Sequence, residues 1–160
     1  MINKYLAVCF GILFLTSTQG FAKPAPNFSL VNAAGTQVSL NDYKGKVVLI
    51  DFWASWCIPC RLSFPWMNDM QQKYQRQGLE VVSINLDKEP AERQRFLKKY
   101  NAKFTVLIDA EGKTPEQYKV LGMPTSYLLN RSGEIVTKHI GFKQSKTTQY
   151  EAEILAELNK

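Results

Sequence analysis

Histidine is nearly absent: His139 is the chain's one copy. Cysteine is scarce too, with Cys9, Cys57 and Cys60. A structural zinc site asks for about four nitrogen or sulfur ligands, so this supply argues against a metal, and nothing else in the chain calls for a cofactor. Internal repeats, low-complexity tracts and Pro/Gly/Ser linkers are missing as well. That leaves a chain of 160 residues, 45% hydrophobic and 21% charged, long enough for one domain with a real core and too short for two. Disorder as the main state does not fit this composition.

Long hydrophobic runs are also wanting. The longest begins at Tyr5 and breaks after Leu15 into Thr16-Ser17-Thr18-Gln19, short of the roughly 20 apolar residues that span a bilayer. With Lys4 ahead of it and Gly20 and Ala22 at −3 and −1 of a cleavage site, residues 1–22 read as a secretory signal peptide. An uncleaved anchor is the alternative. Cys9 follows Val8 where lipidation wants a small residue, so it is expected to leave with the signal. Residues 23–160 then form the mature, soluble domain, outside the cytoplasm: periplasmic or extracytoplasmic.

The net charge of +6 is spread rather than banked. Arg93, Arg95, Lys98 and Lys99 make the densest group, expected on a solvated helix face. Without an aromatic platform beside them, nucleic-acid binding is excluded as the leading reading.

Hydrophobic patterning gives the elements. Residues 28–31 and 36–40 read as a hairpin around Asn32-Ala33-Ala34-Gly35. Residues 46–52 and 79–86 are continuous apolar runs, the mark of strands buried on both faces. A helix is expected from the cysteines to about Gln77, capped by Gly78, and a second from Pro90 to Tyr100, stopped by Asn101. A strand follows at 104–108, then a short helix opened by Thr114-Pro115 and closed by Gly122. Strands at 125–129 and 134–140 and a helix over 147–158 complete the chain. Alternation of strands and helices argues an α/β fold with a mainly parallel sheet, edged by antiparallel strands.

After export only Cys57 and Cys60 remain, spaced C-x-x-C in a compartment that permits disulfides. They stand where a buried strand hands over to a helix. There Cys57 meets unpaired backbone N–H groups and the positive end of the helix dipole, which favour thiolate over thiol. Cys60, a turn further on, is placed to bond Cys57 and resolve a mixed disulfide. Pro59 suits the first helical turn. A purely structural disulfide is the bland alternative, but so small a loop restrains the unfolded chain little.

The run Asp51-Phe52-Trp53-Ala54-Ser55-Trp56-Cys57-Ile58-Pro59-Cys60 resembles the active-site segment of thioredoxin-fold proteins. Pro26-Asn27-Phe28-Ser29-Leu30, residues 39–46 and Arg61-Leu62-Ser63-Phe64-Pro65-Trp66 resemble its exported TlpA/ResA branch. The resemblance implies a thioredoxin-like α/β fold: a central mixed sheet flanked by helices, an N-terminal hairpin, and a helix–strand insertion at residues 91–108. It implies thiol–disulfide oxidoreductase activity with Cys57, Cys60, Asp51 and Pro124 as the working residues. Asp51 would be a buried acid of raised pKa that exchanges a proton with Cys60. Met123-Pro124-Thr125 matches the segment that faces the cysteines with a cis proline, leaving the Met123 backbone to pair with substrate. Trp56, Ile58, Pro59, Met123 and Thr125 would form the substrate-facing surface, with Trp53 and Trp56 shielding the site. Exported proteins bearing disulfides and a membrane thiol–disulfide electron donor are the implied partners.

Three departures stand out. Ser63 replaces the Glu that many relatives place three residues after the second cysteine. Ser126 follows Thr125 where some cytochrome-maturation members have an acid, and Ser83 stands where thioredoxin has a lysine near the buried Asp. The first two weaken a cytochrome c maturation role; the third leaves Asp51 to carry the proton alone. Ile58 lacks the thiolate stabilisation that the histidine of C-P-H-C oxidases provides, which favours a reductase over an oxidase or isomerase. A copper chaperone lacks supporting ligands, and a peroxidase lacks the Pro and Thr needed before its reactive cysteine.

Overall fold

The computed structural model describes residues 23–160. The signal-peptide expectation, and with it Cys9, lies outside the described residues.

Eight strands form one sheet in the order β1-β8-β7-β4-β5-β6-β2-β3. At its centre are β4 (Val47–Trp53) and β5 (Leu79–Asn85), paired in parallel from Val47↔Leu79 to Trp53↔Asn85. Both are buried almost throughout, as their unbroken aliphatic runs require. On one side β6 (Thr105–Ile108) continues the parallel pairing, and the hairpin β2 (Ser29–Asn32) and β3 (Gln37–Ser39) adds to its edge. On the other side β7 (Thr125–Leu129) runs antiparallel to β4, followed by β8 (Glu134–Ile140).

Only the β4–β5 and β5–β6 pairs are parallel, so the sheet is mixed, not mainly parallel. Strand alternation with helices fixes the crossovers of those three strands and says nothing of the edges. A further two-residue strand, β1 (Lys23–Pro24), pairs with β8; it is too short to carry a periodic signal.

Alternation along β4 sorts its side chains between two cores. Val47, Leu49 and Trp53 join Phe64, Met67 and Met70 of α1 (Cys60–Tyr74), Phe96 of α2 (Pro90–Tyr100), and Ile154 and Leu158 of α4 (Thr147–Leu158). Val48, Ile50 and Phe52 pack on the opposite face with Phe28, Leu40, Tyr118 and Tyr127. Trp53 is fully buried, with ring centroids 4.7 Å from Phe64 and 4.6 Å from Phe96. It belongs to the core and shields nothing from outside.

Helix ends follow the expected chemistry. A 3-10 turn over Gln75–Gln77 closes α1, and Gly78 follows with φ +102°. A Cβ there would sit 2.8 Å from Arg131 Nη1, whose guanidinium donates to the carbonyls of Gly45, Gln77 and Leu158. Asn101 takes the left-handed conformation after α2. The short α3 (Lys113–Gln117) is already over when Lys119 turns to φ 53°, so Gly122 does not cap it. Arg93 also departs from expectation. It is buried and donates toward Asn85 Oδ1, while Arg95, Lys98 and Lys99 face solvent.

Candidate active site

Strand β4 ends at Trp53, and the chain turns through Ala54-Ser55-Trp56 to reach Cys57 ahead of α1. The regular helix begins at Cys60, three residues later than the first cysteine. Cys57 and Cys60 form a disulfide, with Cα atoms 5.4 Å apart. The backbone N–H of Cys60 points at Cys57 Sγ, 3.3 Å away. One unpaired donor of the helix N-terminus is thus aimed at the first sulfur. Cys57 is 4% exposed and Cys60 fully buried; that asymmetry makes Cys57 the sulfur within reach of an outside thiol.

The turn itself is held from below. Asp87, after β5, accepts from the Ser55 N–H with both carboxylate oxygens, from the Ser55 hydroxyl and from Asn85 Nδ2. This network fixes the segment that presents Trp56 and Cys57. Sequence reading missed it, although a polar Asn-x-Asp at the end of a buried strand was a usable signal.

Asp51 lies in the middle of β4, 3% exposed, with Oδ2 unpartnered among the described residues. Burial raises its pKa well above the ordinary carboxyl value. Its register neighbours are Ser83 on β5 and Ser126 on β7. The Ser83 hydroxyl is occupied elsewhere, accepting from Trp53 Nε1 at 3.2 Å and donating to the Thr105 carbonyl. No lysine replaces it, and neither immediate register neighbour of Asp51 is a charged residue.

The Met123–Pro124 peptide bond is cis, and Met123 packs against the core cluster that holds Cys57 and Cys60. Thr125, in the first position of β7, is fully buried and its hydroxyl donates to the Gly122 carbonyl at 2.6 Å. Its side chain therefore braces the loop and does not line the surface, a correction to the substrate-facing position expected for it. Trp56 and Ile58 are 67% and 69% exposed and Pro59 is exposed beside them. Leu62, Leu121 and Ile140 are further exposed apolar side chains, on α1, before the cis-proline loop and at the end of β8. Ile140 is the register partner of Thr125, and Leu121 leads into the cis-proline loop. These three were not singled out in the sequence; an apolar residue flanking a turn glycine, as in Leu121-Gly122, was the available sign.

A cysteine pair closed across the first turn of a helix, on this sheet and with a cis-proline loop packed on the same core, defines the class of thioredoxin-fold thiol–disulfide oxidoreductases. Comparison with known proteins narrows that class. The AhpC/TSA family model matches residues 21–138. ResA, a thiol–disulfide oxidoreductase of Bacillus cereus, is 36% identical over 145 residues, covering 85% of this chain and 84% of that protein. Among solved structures, a Chlorobium tepidum protein provisionally assigned as the thiol:disulfide interchange protein DsbE superposes with a TM-score of 0.83. It is 47% identical and the match covers 86% of this chain and 96% of that one. StoA of Bacillus subtilis superposes with a TM-score of 0.67 at 28% identity, over 82% and 97% of the two chains. The chain belongs to the AhpC/TSA family and, within it, to the ResA/TlpA-like thiol–disulfide oxidoreductases.

Proposed function

We propose that this oxidoreductase works outside the cytoplasm as a reductase of disulfides in exported proteins, recharged by a membrane thiol–disulfide electron donor. Export rests on the signal-like residues 1–22, with 23–160 as the working domain. Among the described residues no helix is long and apolar enough to cross a membrane.

In the working direction, the Cys57 thiolate attacks one sulfur of a substrate disulfide. A Cys57–substrate disulfide forms and the other substrate sulfur leaves as a thiolate, to be protonated by solvent. Cys60 then gives up its proton to Asp51, and its thiolate attacks Cys57 Sγ. The Cys57–Cys60 disulfide forms and the second substrate sulfur leaves, so two electrons have passed to the substrate. The donor dithiol reverses these steps, and Asp51 returns its proton to Cys60. The observation that carries this reading is the Cys60 N–H aimed at Cys57 Sγ beneath an apolar rim. A hydrogen bond and a helix dipole at that sulfur hold the reduced thiol as thiolate.

Substrate is expected to lie across Trp56, Ile58, Pro59 and Leu62 on one side and Leu121 and Met123 on the other, with Pro124 shaping the loop. An extended peptide can pair with the Met123 backbone, which makes no backbone hydrogen bond among the described residues.

Cys60→Ser tests the assignment of roles. It is expected to accumulate mixed disulfides on Cys57, detected by mass spectrometry, whereas Cys57→Ser forms none. Trapping by Cys57→Ser instead would reverse the roles. The direction of electron flow is tested by the reduction potential, expected near the value of about −270 mV found for thioredoxin; a value near the −120 mV or so of a strong oxidase overturns the reductase reading.

A further inference from the structure

Between the sheet and helices α1 and α4 lies a small cavity of about 20 Å³. That is room for about one water. Two buried polar atoms without partners among the described residues, Asp51 Oδ2 and Trp66 Nε1, belong to residues on its wall. One is an acceptor or acid, the other a fixed donor, and leaving buried polar atoms without a partner is costly. Ser63 is also on the wall, and its hydroxyl is committed to the Cys60 carbonyl.

The same wall continues to the edge of the sheet. Asp51 pairs in register with Ser126, and Ser126 with His139, so three polar residues occupy one row across β4, β7 and β8. In-register neighbours share a face of the sheet, and two strand spacings put the ends of the row about 10 Å apart. All three line the cavity. At the far end His139 Nε2 meets Glu153 Oε2 at 2.6 Å, both side chains about a quarter exposed. Gln149 Nε2 donates to the other Glu153 oxygen. Nδ1 is then the imidazole nitrogen left for the cavity. The titratable groups on the wall are Asp51 from β4, His139 from β8, and Tyr150 and Glu153 from α4.

We propose that this cavity holds one ordered water between Asp51 Oδ2 and Trp66 Nε1, and that the water and the Ser126 hydroxyl carry protons between Asp51 and solvent through the His139–Glu153 pair. The inference rests on the reading of Asp51 as the proton partner of Cys60. When Cys60 leaves as a thiolate it takes the Asp51 proton. The carboxylate is then refilled: the water gives it a proton, Ser126 replenishes the water, and His139 replenishes Ser126 from bulk solvent. Oxidation runs the chain backward. No electrons move in these steps. Ser63, a small residue on the wall, leaves the water its space, and His139 at the far end of the row supplies the outlet.

The test follows reduction of the Cys57–Cys60 disulfide by dithiothreitol in the intact protein, in weakly buffered solution where proton supply limits the rate. His139→Gln keeps a donor for Glu153 and is expected to lower the rate about tenfold at neutral pH, a size ordinary for a lost proton carrier. Ser126→Val fills the cavity, leaves the His139–Glu153 pair standing, and should slow the reaction to a similar degree. His139→Ala should recover its rate on addition of imidazole, which a merely structural role would not permit. A high-resolution crystal structure should show a water within hydrogen-bond reach of Asp51 and Trp66. If Asp51→Asn slows exchange while His139→Gln and Ser126→Val keep the parent pH profile, the outlet is wrong and the Asp51 reading stands. If Asp51→Asn also exchanges at the parent rate, the reading beneath it fails as well. A slowed His139→Ala that imidazole does not restore, or a cavity without ordered water, overturns the relay.

Discussion

Asp51 and Asp87 are both buried, 3% and 4% exposed, and they bracket the same cysteine-bearing turn, yet their surroundings are opposite. Asp87 is surrounded by donors: two from Ser55 and one from Asn85 reach its carboxylate. Asp51 sits among the apolar side chains of β4 with Oδ2 unpaired among the described residues. A carboxylate with its hydrogen bonds satisfied is a strut, because removing it orphans every donor it holds. A carboxyl group buried without partners weakens the fold and is held near the point of exchanging its proton. The contrast separates support from chemistry at one loop, and substitution should resolve the two by sign.

Asp87→Ala gives the largest expected effect. It strands the Ser55 N–H and hydroxyl and the Asn85 amide, and it removes the anchor of the Cys57 turn. Unfolding stability should fall by about 3 kcal/mol, read from denaturant midpoints at constant m-value. A loss below about 1 kcal/mol would mean that water replaces the network at little cost, and Asp87 would not be the strut described here.

Asp51→Ala should act in the other direction. Burial holds the folded-state pKa of Asp51 above the ordinary 3.8. Between that value and the raised one, the folded protein binds more protons than the unfolded chain. Stability therefore falls as pH rises through the window and stays lowered above it. Replacing Asp51 removes this penalty, so the oxidised variant should gain about 2 kcal/mol near pH 8. The gain should shrink toward pH 4, where the carboxyl is neutral in both states. Thiol exchange near neutral pH should slow roughly a hundredfold. A variant less stable at pH 8 than its parent would break the comparison, since Asp51 would then be a second strut.

How much of this arrangement was legible beforehand differs from element to element. The continuous runs of β4 and β5, the Pro90 start and Asn101 stop of α2, and the Glu134–Ile140 strand and Thr147–Leu158 helix announce themselves through periodicity and end signals. The Cys57–Cys60 pair and the cis Met123–Pro124 bond were expected from the resemblance to the family and are present. What escaped depends on long-range register. β1 is two residues pairing with the far edge. Arg93 leaves its helix's basic face because Asn85 lies beneath it. Thr125 turns inward because the loop carbonyl of Gly122 needs a donor. His139 joins the Asp51 row only once β7 and β8 are paired, and no local pattern in the chain encodes that alignment.

Ser55→Ala is the smallest and sharpest probe of the contrast. It deletes the hydroxyl that donates to Asp87 Oδ1 at 3.0 Å, but keeps the Ser55 N–H, which reaches both carboxylate oxygens. One side-chain hydrogen bond at a partly buried site is worth about 1 kcal/mol, and a denaturation midpoint resolves a shift of that size. The turn remains tied to Asp87 through the backbone, so Cys57 keeps its position over the helix N-terminus. The exchange rate and its pH profile should accordingly match the parent protein's. A slowed reaction at unchanged pH dependence would mean that the hydroxyl tunes the placement of Cys57. A shifted pH profile would draw Asp87 into the proton chemistry, and the division of labour between the two aspartates would fail.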